Sequence, residues 1–149
     1  MVAVTILSML FLVAVPTYQR LQRKARSAAI VNDLRVFAAA LQAHAHDTGA
    51  WPAEVAAGVL PPGMASDELN GDSWSKVTAI GGHYDWDYKQ VQGGIHYTAV
   101  ITITATSGAP LIVDTAQLTD IDQELDDGDL TTGNFRLGFG NAPFFIVEP

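Results

Sequence analysis

The chain has no cysteine. Disulfide staples and thiolate metal sites are therefore excluded, and stability must come from packing or from a metal held by oxygen and nitrogen ligands. Basic side chains are scarce, eight against sixteen acidic ones, for a net charge of −8. A surface of that sign repels phosphate, which argues against nucleic acid as a partner. The chain has no phosphate loop, no G-x-S-x-G turn and no H-E-x-x-H pair, so the common nucleotide, serine-hydrolase and zinc-protease signatures are missing. No long apolar span is present either. The longest apolar run, residues 1–15, rises only ~22 Å as a helix, against ~30 Å of hydrocarbon core. The 149 residues leave room for one domain of ordinary size.

What the chain does have is concentrated at its start. MVAVTILSMLFLVAV is relieved only by Thr5 and Ser8, is interrupted by Pro16, and leads into Arg20, Arg23, Lys24 and Arg26. A secretory signal peptide carries its positive charge before the apolar run and a small-residue cleavage site after it; here the order is reversed. A buried core helix is disfavoured by Pro16, which removes a backbone hydrogen bond and clashes with the preceding turn at a cost of ~3 kcal/mol. A membrane anchor lacking a few N-terminal residues fits best, with the following basic residues on the cytoplasmic side or on lipid phosphates where the positive-inside rule sets the orientation, and outside where another signal overrides it. Charge divides the chain in the same place. Residues 1–50 carry five basic and two acidic side chains, a net +3, and residues 51–149 carry three basic and fourteen acidic ones, a net −11. A basic stem and an acidic head attract each other between neighbouring copies.

Beyond Pro16, Leu21, Ala25, Ala28, Ala29, Val31, Leu34, Ala38, Leu41 and Ala45 recur mostly at spacings of three and four, and Ile30 and Phe37 widen the stripe. That period predicts a helix with one core-facing side. It should stop at Gly49, before Pro52, a C-terminal cap followed by a breaker. Counted from the start, the helix approaches fifty residues, against a mean of ~11–12. Residues 52–82 hold many Pro, Gly, Ala and Ser and read as an irregular connection, with at most a short helical turn. From His83 to Tyr88 the period becomes two, and Ile95–Ala105 is rich in β-branched residues; these predict two antiparallel strands about a turn at Gln92–Gly94. A short helix is expected near 114–125, and a final hairpin about Gly140 and Asn141. The fold class is α+β, one long helix against a small antiparallel sheet. It divides into an apolar helix segment (1–16), an amphipathic helix (17–50), an irregular αβ loop (51–82) and a β head (83–149).

These features resemble the type IV pilins and the pseudopilins of type II secretion. The resemblance rests on the apolar run, Pro16 at its end, Tyr18 just after, the basic Arg23 to Arg26, and Gly49-Ala50-Trp51-Pro52, which is similar to the Gly-x-Tyr-Pro element that ends this helix in pseudopilins. It covers the first ~52 residues well and the head only in its order of elements. The family's mature chains begin Phe-Thr-Leu-x-Glu. Alignment on Pro16 places Met1 several residues into such a chain, past that Glu and past any leader peptide.

The resemblance implies the pilin fold and a structural subunit, not an enzyme. Stored in a bacterial inner membrane, it would be extracted by an assembly machinery and packed with copies of itself into a periplasmic or extracellular filament. Val4, Leu7, Leu10, Phe11, Leu12, Val15 and Pro16 would form the filament core. Leu34, Phe37, Leu41, Tyr84, Trp86 and Tyr88 would join helix to sheet. A type IV pilus subunit and a secretion pseudopilin both remain open, the lack of Cys and the Gly-Ala-Trp-Pro element favouring the latter. The alternative is a membrane-anchored monomeric binding module whose head recognises a ligand.

Three smaller constellations remain. Asp120, Asp122, Glu124, Asp126, Asp127 and Asp129 surround Gly128, without the sixth-position Gly and twelfth-position Glu of an EF-hand. A solvated helix end and turn is the simpler account. A calcium site at Asp126, Asp127 and Asp129 is the functional one, since major pseudopilins carry calcium late in the head. His44 and His46 lie two apart on a helix and cannot share a metal there. Tyr84, Trp86 and Tyr88 read as sheet core, with an aromatic binding strip as the minority option.

Overall fold

In a computed structural model, residues 2–64, 69–112 and 114–149 are described, and the side chains of residues 2, 3, 5–7 and 10–13 lie outside that description. The first element, α1, is one helix from Val2 to Thr48, continuous through Pro16. The apolar and amphipathic segments are thus a single rod, with the proline absorbed at the loss of one backbone hydrogen bond. It ends as a glycine cap requires: Gly49 takes φ +76° and its N–H bonds the Ala45 carbonyl at 2.9 Å.

The short helix α2 (Gly71–Ser75) follows the irregular connection. Next come β1 (His83–Tyr88), β2 (Val91–Gln92), β3 (Ile95–His96) and β4 (Ala99–Thr104), then helix α3 (Thr115–Leu125), then β5 (Phe135–Leu137) and β6 (Pro143–Glu148). The main sheet is antiparallel in the order β1-β4-β6-β5, and β2 with β3 forms a separate hairpin. The single strand expected over 95–105 is therefore two. Ile95 pairs with Gln92 in the small hairpin, through a turn in which Gly93 and Gly94 both have positive φ. The chain then bends at Tyr97 and Thr98 before β4 joins the main sheet. Lys89 and Gln90 hold the bend: the Lys89 N–H donates to the Thr98 carbonyl, and the Tyr97 N–H to the Gln90 carbonyl.

Among the described residues, one stripe of α1 is covered, in its upper half. Ile30, Val31, Leu34, Phe37, Ala38 and Leu41 are buried against the inner sheet face, where Tyr84, Trp86, Ile101, Ile103 and Phe135 lie. Tyr88 is half-buried and packs on the same cluster. Leu21, Ala25, Ala28 and Ala29, which share the period, stay exposed. Phe37 sits edge-on to both Trp74 (centroids 5.1 Å apart) and Tyr84 (4.9 Å), the favoured aromatic arrangement. Indole N–H groups are satisfied: Trp74 donates to the Val59 carbonyl at 2.8 Å and Trp86 to that of Pro52 at 3.0 Å. The Tyr84 hydroxyl donates to Asp33 at 3.1 Å, tying sheet to helix.

Phe37→Ala should cost ~3–5 kcal/mol, as large-to-small core changes do. Leu21→Ala, on the uncovered part of the same helix, should stay within ~0.5 kcal/mol. Thermal or urea unfolding of the two variants measures both; equal losses would contradict the half-covered helix.

Candidate functional site

The lower half of α1 stands clear of the head. Val4 is 66% and Val15 49% exposed, and Met9, Tyr18 and Leu21 are likewise open. Pro16 is exposed beside them. The side chains of Leu7, Leu10, Phe11 and Leu12 lie outside the described residues. Among the described residues no helix is long and apolar enough to cross a membrane.

At the point where stem meets head, α3 lies alongside α1 and runs in the same direction. The Ser27 hydroxyl reaches the Gln117 carbonyl near the start of α3, and Arg35 donates to the Glu124 carbonyl near its end. Between them the Arg23 guanidinium pairs with Asp120 at 2.8 Å. Asp114 caps α3 by accepting from the Ala116 N–H at 3.0 Å, which satisfies one of the helix's free donors. Below α3 the same face of α1 continues uncovered, as a groove of about 460 Å³ lined by Pro16, Arg20, Arg23, Arg26, Asp114 and Gln117.

Beyond α3 comes the acidic turn. The three carboxylates expected to bind calcium are occupied in holding it. Asp126 accepts from the Asn134 N–H. Asp127 accepts from the Asp129 N–H at 2.9 Å and the Thr132 hydroxyl at 2.8 Å. Asp129 takes the Thr131 N–H and hydroxyl, and these bonds hold its carboxyl below the usual range. Gly133, at φ +70°, has no room for a side chain, since a Cβ would lie 2.0 Å from the Asp126 carboxylate. Among the described residues no group of three or more His, Cys, Asp or Glu is arranged to hold a metal. Asp122, which sequence reasoning counted only as part of the acidic run, is fully buried at the edge of this turn. Neither of its carboxylate oxygens has a hydrogen-bond partner. Burial, with the neighbouring Asp127, Asp126 and Asp129 charges, pushes its carboxyl up to about 6; the Gly128 amide, outside hydrogen-bonding geometry, offsets only part of this.

The outer sheet face holds a second group that sequence reasoning missed. Asp85 and Asp87 alternate with the aromatics of β1 and therefore point away from α1. The period-two pattern was the available signal for them. Asp87 accepts from Gln92 of the hairpin at 3.0 Å and from Thr102 of β4 at 2.5 Å. Burial raises both carboxyls, that of Asp85 to about 6, and Asp87 adds to the Asp85 shift by its charge. Tyr97, Val100, Phe144 and Ile146 form a small apolar cluster on this face.

No family model and no curated protein matches the sequence. Among solved structures, that of the major type IV pilin PilA1 from Clostridium difficile is similar. The match has a TM-score of 0.53 at 17% identity and covers 85% of this chain and 97% of that one. The chain has a type IV pilin-like fold: a long N-terminal helix packed on a four-stranded antiparallel sheet.

Asp122 and Asp85 give the head a pH dependence of definite sign. Their folded-state carboxyls titrate near 6, above the ~4 of an unfolded chain. The folded state therefore binds more protons between these values. Their contribution is complete below about pH 4 and is lost as pH rises through about 6. The unfolding midpoint should rise from pH 7.5 to pH 5, against a smaller opposing effect of Asp129. Asp122→Asn should stabilise the head by up to ~3 kcal/mol at pH 7.5 and flatten the profile. Calorimetry at both pH values checks this, and a variant less stable than the parent at pH 7.5 would refute it.

Proposed function

We propose that this chain is a structural subunit of a type IV pilus-like filament or a type II secretion pseudopilus, and not an enzyme. One observation carries the reading: a 47-residue helix is packed against its own head over the upper half only, while its apolar lower half exposes Val4, Met9, Val15, Tyr18 and Leu21. Exposed apolar surface of that kind marks an interface or a membrane contact. The pilin-like fold supports the same reading.

In this account α1 is first held in a bacterial inner membrane. Assembly machinery then withdraws it, and it packs beside the α1 helices of other copies, with the heads outward. The filament lies in the periplasm or outside the cell. Val4, Leu7, Leu10, Phe11, Leu12, Val15 and Pro16 form the filament core. Contacts are heterologous and do not close, so they propagate as a helix of subunits. Pro16, with one backbone hydrogen bond already missing, lowers the cost of bending or local melting as neighbours pack.

Val15→Asp separates assembly from folding. Val15 touches no core, so head stability should be unchanged within ~0.5 kcal/mol. A charge among packed apolar helices is costly to bury, so filaments should be lost. Immunoelectron microscopy of sheared cell-surface fractions reads the outcome. Parent chain dispersed in membranes without filaments would overturn the filament reading in favour of an anchored monomeric binding module.

A further inference from the structure

The uncovered basic face of α1 has a complement on the same molecule that it cannot reach. Arg20, Lys24 and Arg26 are exposed and form no ion pair among the described residues, whereas Arg23 is paired with Asp120. At the far end of α3, Glu124, Asp126, Asp127 and Asp129 are exposed, and the hydrogen bonds of the three aspartates come from neutral amides and hydroxyls, with no ion pair to any of the four among the described residues. Because α3 parallels α1, the two patches are separated along the helix by roughly the length of α3, on the order of 15–20 Å. We propose that the groove lined by Arg20, Arg23 and Arg26 receives the acidic turn 124–129 of a second copy, displaced along α1 by that distance. The inference rests on the filament reading above and adds the register between copies.

Three features fit this occupant. The patches are opposite in sign. The acidic turn stands above the groove along α1, so a neighbouring parallel copy set lower by that distance, beside the first and turned toward it, carries its turn at the level of the groove. The contact joins two different surfaces and leaves one of each free at the ends, so it repeats without closing. Asp114 also lines the groove, where three arginines are the other charged lining residues, and its carboxylate is held as the α3 cap.

The absence of native cysteine makes a direct test available. Arg20→Cys and Asp127→Cys are introduced together into the full chain, and sheared filaments are oxidised. The two sites within one copy stand well beyond the ~7 Å Cα reach of a disulfide, so any bond joins two copies. A ladder of dimers, trimers and higher species is expected, with neither single variant giving more than a trace. Filaments that form without a ladder overturn this contact and leave the filament reading intact; a lipid phosphate in the groove gives that same result. Absence of filaments from the unaltered chain overturns the filament reading and the contact with it. As a second arm, Arg20→Glu with Arg26→Glu should lower filament yield at least tenfold, and adding Asp126→Lys with Asp127→Lys in the same chain should restore it. Yield unaffected by the first pair overturns the contact even if the cysteine variants fold poorly.

Discussion

A rod of 47 residues is about 70 Å long, far more than a head of about a hundred residues can cover. Every other feature follows from how that length is shared. The sheet, α3 and the irregular connection cover one stripe of the upper half, from Ile30 to Leu41. Because the stripe is narrow, large rings must fill it. Phe37 carries the load at the centre, edge-on to Trp74 from the connection and to Tyr84 from β1. Two segments remote from the helix in sequence are thus fastened to one of its side chains. Of the described side chains in the lower half, Val4, Met9, Val15, Tyr18 and Leu21 are left uncovered by their own chain.

The polar groups around this core follow a consistent division. The aromatic donors of the core have acceptors: the Trp74 and Trp86 indoles reach backbone carbonyls, and the Tyr84 hydroxyl reaches Asp33, whereas the buried Gln117 amide nitrogen has none. Where a carboxylate is exposed it braces a turn, as Asp127 and Asp129 do. Asp122 is the exception, buried without a hydrogen bond. Such a group costs free energy when charged, and the fold retains it directly beneath the most acidic part of the surface. Head stability is thereby tied to proton concentration through Asp122, together with Asp85 on the outer sheet face.

Much of this was legible in the sequence because two periods are strong. Spacings of three and four from Leu34 to Leu41 mark the face of α1 that is covered, and alternation from His83 to Tyr88 marks the inner face of β1. The glycine cap at Gly49 and the helix after Asp114 were readable from local chemistry. Other features depend on contacts that no local pattern records. Ile95 to Ala105 is uniformly β-forming, so the bend at Tyr97 and Thr98 is set by Lys89 and Gln90 across the hairpin rather than by its own residues. Leu21 and Ala25 continue the helical period, yet the head does not extend far enough to bury them. Trp74 is a lone aromatic in a Gly- and Ser-rich segment, and only the position of Phe37 gives it a place. Asp122 looks like its acidic neighbours until the helix turns it inward beside Leu118 and Ile121.

The division of labour along α1 also bears on what sets the order of an assembly. Between helices in a bilayer there is no net hydrophobic driving force, since lipid chains are as apolar as Val or Leu. In the filament proposed above, transfer of the lower half of α1 from lipid to a bundle of its copies would therefore be close to an even exchange of apolar surroundings. It distinguishes poorly between one axial register and the next, because Val4, Met9 and Val15 are satisfied equally by many apolar neighbours. Register must come from groups whose interactions depend on distance and sign. In this chain those groups lie above Pro16, in the basic face of the stem and the acidic turn of the head. In that proposed filament the apolar helices would tolerate many registers, and the polar stem and head would select one of them.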